Sequence, residues 1–391
     1  MIKPFQFTSI PKIYFRAGGL ASLPDMIKSF GSSVILVTGA HSFIDSINGE
    51  SFLKNLRNAG IKYFNFIVPG EPSPELIDII VSEMRGETVN SVVGIGGGSA
   101  VDAGKAVSAM MYKSGSVMDY LEGVGKKEHP GTKIPYIAVP TTSGTGSEAT
   151  KNAVISRTGK KGFKKSLRHD NLIPDIALVD PELTLNCPRD ITAAGGMDCF
   201  TQLTEAFLSD KSNSYTDALA VEGLKQIKSS LIRTVRDGND LEARTGMSFA
   251  ALTSGICLAN AGLGVVHGFA SVIGGMYNIP HGQICGTLMA VANEITVRNL
   301  RNNPARQEAL SRYALLGKLF LGESGRSDDH YIDGFIDWLH ILTSELQLPG
   351  LKQTGVVEND LKEISSLTEC KNNPARLNDE ELLEILIKRL Y

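Results

Sequence analysis

Four side chains in the second half of the chain could together bind a divalent metal ion. Asp198 and Gln202 lie four residues apart in GGMDCFTQLTEAF, so both point the same way from a helix that we expect to begin shortly before Asp198. His267 and His281 each stand in a glycine-flanked, apolar stretch, GLGVVHGFAS and IPHGQICG. Either histidine taken alone is more often a hydrogen-bonded core residue than a ligand. All four together predict a site of two oxygen and two nitrogen ligands, which suits Fe(II), Zn(II) or Mn(II).

The cysteines and the other histidines are not assigned to this site. The five cysteines are scattered, odd in number and without a CxxC pair, which fits reduced thiols in a cytoplasm better than disulfides. A ligand set without thiolates also argues against a structural zinc site. The remaining histidines stand in polar or terminal contexts and are expected to be solvated: His41, His129, His169, His330 and His340.

Two loops rich in glycine and hydroxyl groups follow predicted strands and could hold a dinucleotide. The first, GGGSAVD, opens a helix, where free N–H groups and the helix dipole attract a phosphate. It is not a GxGxxG pattern, so a plain strand-to-helix turn without a ligand remains open. The second, PTTSGTGSE, could bond a ribose or a carboxamide, or merely cap the next helix. The candidate cofactor residues in these loops are Gly96, Gly97, Gly98, Ser99, Asp102, Thr141, Thr142, Thr145 and Ser147.

A third candidate cofactor position is the end of an earlier predicted strand, VTGAHSF. NAD-binding proteins typically place an acidic residue there, against the 2′-hydroxyl of the adenosine ribose. Here Gly39 has no side chain, and His41 and Ser42 follow. Either Gly39 is only a turn glycine, or the site permits the 2′-phosphate of NADP. The sequence therefore predicts NAD(P), with NADP slightly favoured.

Hydrophobic periodicity predicts the scaffold for these residues in two parts. Through residue 187, short β-branched runs such as SSVILVTGA alternate with helical patterns such as PELIDIIVSEMRG. This alternation predicts a Rossmann-like α/β domain with a mostly parallel sheet over residues 1–187. From 188 to 391 nearly every segment has helical spacing, which predicts an all-α domain. The boundary is expected near Asn186–Pro188.

Composition and charge narrow the class of protein. Hydrophobic residues make up 42% and charged residues 21% of the chain, as in an ordinary soluble protein. Apolar runs are too short to span a bilayer and no secretory signal is visible, so a cytoplasmic protein is expected. A net charge of -3 gives no reason to expect a nucleic-acid or membrane partner.

The chain resembles the iron-containing (group III) metal-dependent alcohol dehydrogenases over nearly its whole length. The motifs that carry the resemblance, in order, are GGGSAVDAGKA, AVPTTSGTGSEAT, IPDIALVDPELT, GMDCFTQLTEAFLS, GLGVVHGFAS, IPHG and NPARLNDEELLEILIKRLY. The resemblance implies a dehydroquinate synthase-like architecture with the active site in the cleft between the two domains. It also implies a homodimer that transfers hydride between NAD(P) and a small or medium alcohol, or its aldehyde or ketone.

The resemblance assigns roles to individual residues. Asp198, His267 and His281 carry over as catalytic metal ligands, whereas the usual second ligand on the Asp helix is histidine and here is Gln202. Because an amide oxygen is a weaker donor than imidazole, we expect Fe(II), or else Zn(II), to bind with lowered affinity.

Two further assignments stay open. A family lysine before the IPD segment lines the cofactor cleft, and both Lys164 and Lys165 fit that place. A family histidine often assigned to proton relay is Ser271 here, so a relay through Ser271 with water, or through the cofactor ribose, is expected.

Other functions with this fold remain to be weighed. Because of Gln202, a metal-free reductase or a nucleotide-binding protein without catalysis stays open. Dehydroquinate-synthase-like cyclases need many basic residues around the metal, and the helices near Asp198 and His267 are poor in Arg and Lys. Glycerol-dehydrogenase-like zinc enzymes are closer, but the Asp-helix sequence fits the iron group better.

Overall fold

The first part of the chain forms a parallel sheet. The computed structural model describes residues 4–40, 43–159 and 162–391. The strands are β1 (Lys12–Phe15), β2 (Ser33–Gly39), β3 (Lys62–Val68), β4 (Ser91–Gly96), β5 (Tyr136–Pro140), β6 (Asn152–Arg157), β7 (Phe163–Arg168) and β8 (Ile176–Val179). Six of them lie in the order β1-β8-β5-β4-β2-β3, and every neighbouring pair is parallel.

Helices cover the sheet and make up the whole of the second part. They are α1 (Leu23–Lys28), α2 (Ile47–Asn58), α3 (Pro74–Glu83), α4 (Gly98–Met110), α5 (Arg189–Leu208), α6 (Ser214–Arg236), α7 (Leu241–Ala261), α8 (Val265–Met276), α9 (His281–Arg301), α10 (Gln307–Leu321), α11 (Asp328–Glu345), α12 (Leu361–Leu367) and α13 (Asp379–Lys388). A Rossmann-like α/β part followed by an all-α part is confirmed. The domain boundary near residue 187 stays a prediction, although β8 is the last described strand and α5 begins at Arg189.

The side-chain alternation of the central strand explains the two helical layers. In β2, Val34 and Leu36 pack against α1 and α2, whereas Ile35 and Val37 pack against α3 and α4. Successive residues of a strand point to opposite faces, so a continuous apolar run can fill two cores at once.

An antiparallel hairpin leaves the sheet and was not anticipated from the sequence. Within the described ranges, strands β6 and β7 pair with each other and with no other strand, and Ile155 lies opposite Lys165 and Ser156 opposite Lys164. The hairpin packs against α4 and α8, and thereby lies between the sheet and the helical part. It brings both candidate lysines to this junction.

The helical part is built around α5, most of which is buried. Pro188 precedes the helix, and α5 packs against α6, α7 and α9. Asp198 is the middle of this helix, not its start, because the helix begins already at Arg189. A helix buried on all sides has no polar face, so each of its polar side chains must find a partner in the interior.

In the described part of the chain no single helix is long and apolar enough to cross a membrane, and only α7 and α8 together, bent by 100°, have the necessary length and composition.

Candidate active site

One cleft of about 1400 Å³ brings the two groups of candidate residues together. It lies where the carboxyl edge of the sheet meets the helical part. The candidates that line it are Gly97, Gly98, Ser99, Asp102, Thr142, Thr145, Ser147, Lys164, Lys165, Asp198, Gln202, His267 and His281.

Three other candidates support the cleft from behind. Gly39 and Gly96 end neighbouring strands, and a Cβ on Gly96 would lie 3.2 Å from the Gly39 nitrogen. Thr141 is buried, and its N–H donates to the Gly96 carbonyl over 2.9 Å. None of the three is among the residues that line the cleft. His41 and Ser42 lie outside the described residues, and their contact with the cofactor stays a prediction.

The position of the glycine turn in the sheet favours a nucleotide. Strand β2 leads through α2 to β3 on one side, and β4 leads through α4 to β5 on the other. The connections diverge between β2 and β4, and ligands of open parallel sheets bind at such a switch point. Helix α4 starts there at Gly98 and has no side-chain cap, so its first N–H groups face the cleft unpaired by a capping side chain.

The hydroxyl-rich loop approaches the glycine turn closely. A Cβ on Gly98 would lie 2.7 Å from the Thr145 side chain, so the contact requires glycine. Lys105 holds this loop in place from below: its Nζ donates to the carbonyls of Ser147 and Thr150 over 2.8 and 2.9 Å. Lys105 is a buried structural residue that the sequence analysis missed.

Asp102 is used mainly to anchor the hairpin. Its Oδ2 accepts the N–H of Val154 over 3.0 Å, and its Oδ1 lies 3.9 Å from the ammonium of Lys105. Burial, only partly offset by Lys105, raises the pKa of Asp102. The carboxyl therefore has a structural partner, although it also lines the cleft.

The hairpin distinguishes the two lysines. The Lys164 side chain is only 10% exposed, pairs with Glu71 over 3.0 Å, and is among the charges that lower the His281 pKa. Lys165 lies in the exposed part of the same strand. Lys164 is therefore the lysine nearer the candidate metal site.

The predicted metal ligands come from three helices. Asp198 lies on α5, His267 near the start of α8, and His281 at the first residue of α9. The Asp198 Oδ1 is 3.2 Å from His267 Nε2 and 3.8 Å from His281 Nε2. All three residues line the same cleft.

A glycine lets two of these helices meet. A Cβ on Gly282 would collide with the carbonyl oxygen of Ala194 and lie 3.1 Å from the Asp198 Cβ. The glycine that follows His281 is therefore a condition for the approach of α9 to α5.

Glu205 fixes the orientation of His267 and was missed by the sequence analysis. Its Oε2 lies 2.6 Å from His267 Nδ1, and its Oε1 accepts the Val266 N–H over 2.7 Å. A proton on Nδ1 donated to Glu205 turns the Nε2 lone pair toward Asp198, as in carboxylate–histidine–metal arrangements. The spacing of Asp198, Gln202 and Glu205 along one helix, at i, i+4 and i+7, is the signal that could have revealed it.

Electrostatics in the cluster favour a cation. Burial alone would raise the pKa of Asp198, but the neighbouring His281 and His267 outweigh it and hold that pKa below its ordinary value. Burial would lower the pKa of His267, but its acidic neighbours, Cys285 when ionised and Glu205, raise that pKa well above normal. Burial lowers the pKa of His281 to about 3. The cluster thus stabilises one positive charge between buried acids, which a divalent ion can supply in place of a proton.

The amide of Gln202 is oriented differently from that of an oxygen ligand. Its Nε2 donates to Asp198 Oδ1 over 3.2 Å, and its Oε1 accepts from the Ser254 hydroxyl over 2.9 Å. The Ser254 Oγ also lies 2.8 Å from the Ala251 carbonyl, so its single proton can serve either acceptor and a reversed amide could donate to the Ser254 oxygen. The reversed Oε1 would then face the Asp198 carboxylate with no donor between them unless a cation lay there. The metal-ligand role of Gln202 stays a prediction.

A thiol belongs to the cluster, contrary to the sequence analysis. Cys285 follows His281 by one helical turn, is fully buried, and its Sγ lies 3.8 Å from His267 Nε2. One donor atom each from Asp198, His267, His281 and Cys285 lies within 4.8 Å of every other. Burial raises the pKa of the Cys285 thiol to about 11. Although the five cysteines are far apart in the sequence, the fold brings Cys285 to the donor cluster.

Ser271 lies beside the metal candidates. Its hydroxyl donates to the His267 carbonyl over 2.8 Å and lies 3.3 Å from the Nζ of Lys371. Lys371 has a left-handed backbone with φ of 49° and lines the cleft. A proton relay through Ser271 stays a prediction.

His129 corrects a further expectation. It was expected to be solvated, but it is buried, with Nε2 3.2 Å from the Ala109 carbonyl and Nδ1 accepting the Gly131 N–H over 3.1 Å. It is a hydrogen-bonded core histidine. His330 and His340 are exposed, as expected.

Comparison with known proteins gives a consistent result along the chain. Residues 11–181 match the family described as iron-containing alcohol dehydrogenase, and residues 192–390 match its C-terminal family. Alcohol dehydrogenase 4 of Saccharomyces cerevisiae is 33% identical, over 98% of this chain and 97% of the relative.

Solved structures agree in fold. An alcohol dehydrogenase from Oenococcus oeni superposes with a TM-score of 0.87 at 29% identity, covering 99% of this chain and 100% of that one. A sulfoacetaldehyde reductase from Bifidobacterium kashiwanohense, solved in complex with NAD+, gives a TM-score of 0.83 at 26% identity, covering 99% of both chains. With its motifs, fold and donor cluster in agreement, the chain belongs to the iron-containing alcohol dehydrogenase family.

Proposed function

We propose that this oxidoreductase interconverts a small or medium alcohol and its aldehyde or ketone, using NAD(P) and one divalent metal ion. The observation that carries the proposal is that one cleft is lined both by the open N-terminus of α4 and by the Asp198, His267 and His281 cluster. A nucleotide held at the first and an oxygen held at the second would be neighbours.

The residues fit both absent groups. The uncapped helix start at Gly98 suits a pyrophosphate, and the close donors of Asp198, His267 and His281 suit a divalent ion. When bound, the ion supplies Lewis-acid polarisation of the substrate oxygen and the nicotinamide supplies or accepts the hydride.

The chain itself supplies orientation. Glu205 keeps the proton of His267 on Nδ1, so that Nε2 stays available to the cluster. Lys105 fixes the 141–150 loop against the glycine turn, which determines where a bound nucleotide can lie.

The apolar part of the lining suits an uncharged substrate of modest size. Besides charged residues such as Lys164 and Lys371, the cleft is lined by the apolar side chains of Leu258, Leu263, Val272, Met276, Pro280, Leu348 and Leu367. The test is a panel of primary alcohols and the matching aldehydes, assayed with both cofactors on metal-loaded enzyme. Turnover confined to charged or bulky substrates, or no hydride transfer with any member, would contradict the proposal.

The absence of an acid at the end of β2 supports acceptance of NADP. Gly39 lies beside Gly96 at the switch point and has no carboxylate to repel a 2′-phosphate. The Bifidobacterium relative was solved with NAD+, so both cofactors need to be compared. We expect Gly39→Asp to lower kcat/KM for NADPH relative to NADH. An unchanged ratio would mean that the ribose lies elsewhere.

One observation favours a second candidate, a metal-free reductase or a nucleotide-binding protein without catalysis. Gln202 presents its amide nitrogen, not its oxygen, to Asp198. Elemental analysis of freshly purified protein, together with the substrate panel before and after chelation, separates the candidates. Activity that survives complete metal removal would establish the metal-free reductase.

We propose a homodimer as the assembly. Strand β1 lies at the edge of the sheet and so offers backbone groups to a second chain. Light scattering coupled to size-exclusion chromatography tests this, and a mass near the 42.0 kDa of one chain would exclude it.

A further inference from the structure

We propose that Cys285, and not Gln202, provides the fourth side-chain ligand of the cation. The ligand set would then be one carboxylate, two imidazoles and one thiolate. The inference rests on the proposed function only in requiring that a divalent ion occupies the cluster.

The spacing of the donor atoms supports a four-ligand site. Bonds of about 2.0–2.3 Å from a tetrahedral cation place neighbouring donors roughly 3.3–3.8 Å apart. The Asp198 Oδ1 to His267 Nε2 distance is 3.2 Å, Asp198 Oδ1 to His281 Nε2 is 3.8 Å, and Cys285 Sγ to His267 Nε2 is 3.8 Å. These three of the six edges are close to those of such a tetrahedron, and the other three donor pairs lie within 4.8 Å.

The environment of Cys285 differs from that of an ordinary core cysteine. Its sulfur is directed at the Nε2 of His267, the same nitrogen that Glu205 leaves free for a ligand. For comparison, the equally buried Cys257 directs its sulfur to the backbone carbonyl of Thr216. Helix α9 thus places the Cys285 sulfur beside the same point in the cleft that His267 and His281 face.

Gln202 already has another use in the same cluster. Its Nε2 donates to the carboxylate oxygen of Asp198, and Ser254 satisfies its Oε1. An amide held in this way orients the carboxylate, as the outer hydrogen-bond partners of metal ligands do. It is also a weaker donor than thiolate to a borderline-soft ion.

The proposed set has a consequence for metal choice. Thiolate ligands favour Zn(II) over harder ions, so this chain should retain zinc in preference to iron or manganese when both are offered. On binding, the thiol proton of Cys285 is released to solvent and a metal–sulfur bond forms, with no change of oxidation state.

The decisive measurement uses the full-length, metal-loaded protein without any substitution. X-ray absorption at the zinc edge should show one sulfur neighbour at about 2.3 Å. The protein loaded with one equivalent of Co(II) should show a thiolate-to-cobalt charge-transfer band in the near ultraviolet. Stoichiometric metal with only nitrogen and oxygen neighbours would overturn the inference and leave the proposed function intact. Failure to bind either ion would overturn the inference and the metal requirement of the proposed function together.

Three variants locate the sulfur and rank the ligands. Cys285→Ser should lose the cobalt band, whereas Cys257→Ala, a matched buried cysteine, should keep it. In a competition titration with a chromophoric chelator, Cys285→Ser should lower zinc affinity by more than 100-fold and Gln202→Ala by about tenfold, the range for outer partners. The opposite order would make Gln202 the ligand. If Cys285→Ser does not fold, the absorption and cobalt spectra of the unsubstituted protein still decide.

Discussion

At the scale of single residues, the site depends on buried groups whose charge is set by their neighbours. Glu205 acts on the cluster only through His267, which it holds in one tautomer. Glu148 is a second buried acid and lies in the loop that Lys105 holds in place. Its ionisation affects the stability of the fold. Each gives a prediction that needs one substitution.

Glu205→Gln should weaken metal binding by about tenfold to 100-fold, because a neutral amide no longer holds the Nδ1 proton of His267 as strongly. The measurement is a zinc competition titration at fixed pH. Glu222→Gln, at an exposed glutamate paired with Lys225, is the matched control and should have no effect. Equal affinities for all three proteins would show that Glu205 does not position His267.

Glu148→Gln should change the pH dependence of stability. Burial raises the pKa of Glu148 from 4.5 to about 7, so the stability it contributes is complete below its unfolded pKa and is lost as pH rises through about 7. Relative to wild type, the variant should gain about 2.4 kcal/mol in unfolding free energy between pH 5 and 7.5. Lys105, with its pKa lowered to about 8, stays largely protonated over this range. Urea unfolding at both pH values measures the difference, and a constant difference would contradict the raised pKa.

At the scale of secondary-structure elements, function depends on how closely α5, α8 and α9 approach one another. The candidate ligand atoms belong to three helices, so a small displacement of one helix would open the cluster. Among the contacts between these three helices, the contact of α9 with α5 at Gly282 leaves the least room for a Cβ atom. Hairpin β6–β7 has a comparable role, because it carries Lys164 into the junction.

Gly282→Ala should separate α9 from α5, because the new Cβ would collide with the Ala194 carbonyl. Overpacking of this kind costs about 1–3 kcal/mol of stability, and metal affinity should fall with it. Thermal unfolding and zinc titration measure the two effects. Gly70→Ala, where a Cβ would meet nothing within 4 Å, is the control and should behave as wild type. Metal affinity unchanged in Gly282→Ala would show that the approach is not required.

At the scale of the whole molecule, the cleft joins two parts that supply different functions. The sheet and α4 offer the nucleotide site, and the helical part offers the donor cluster. In the described part of the chain, the residues of the nucleotide site and those of the donor cluster do not hydrogen-bond to each other, apart from the contacts of the hairpin and the 141–150 loop. The two binding functions should therefore be separable by mutation.

Asp198→Ala should abolish metal binding and turnover and leave nucleotide affinity within about twofold of wild type. Gly98→Val should do the reverse, because its side chain would fill the space that Thr145 approaches at the helix start. Nucleotide binding by fluorescence and metal content by elemental analysis give the two measurements. Loss of both functions in either variant, with the fold retained, would contradict a division of the cleft between the two parts.

The layout of the fold could be predicted from the residue pattern alone, and so could three members of the candidate donor cluster. The alternation of strands and helices from β2 to β5 is typical of a covered parallel sheet, which places the glycine turn at its carboxyl edge, whereas the antiparallel pair β6–β7 departs from this pattern. The metal hypothesis depended on residue types, because the carboxylate of Asp198 and the imidazoles of His267 and His281 are side chains that bind divalent ions.

Which distant groups come into contact follows only from the packing of the folded chain. Cys285 joins the cluster and His129 enters a core because of helix contacts that no periodicity encodes. Glu205 contacts His267 although the two residues are 62 positions apart in the chain. Lys164 and Lys165 are adjacent in sequence, and only their positions on the hairpin distinguish them. Such contacts depend on the approach of whole helices and strands, which is fixed by packing over the entire interior and not by any short stretch of sequence.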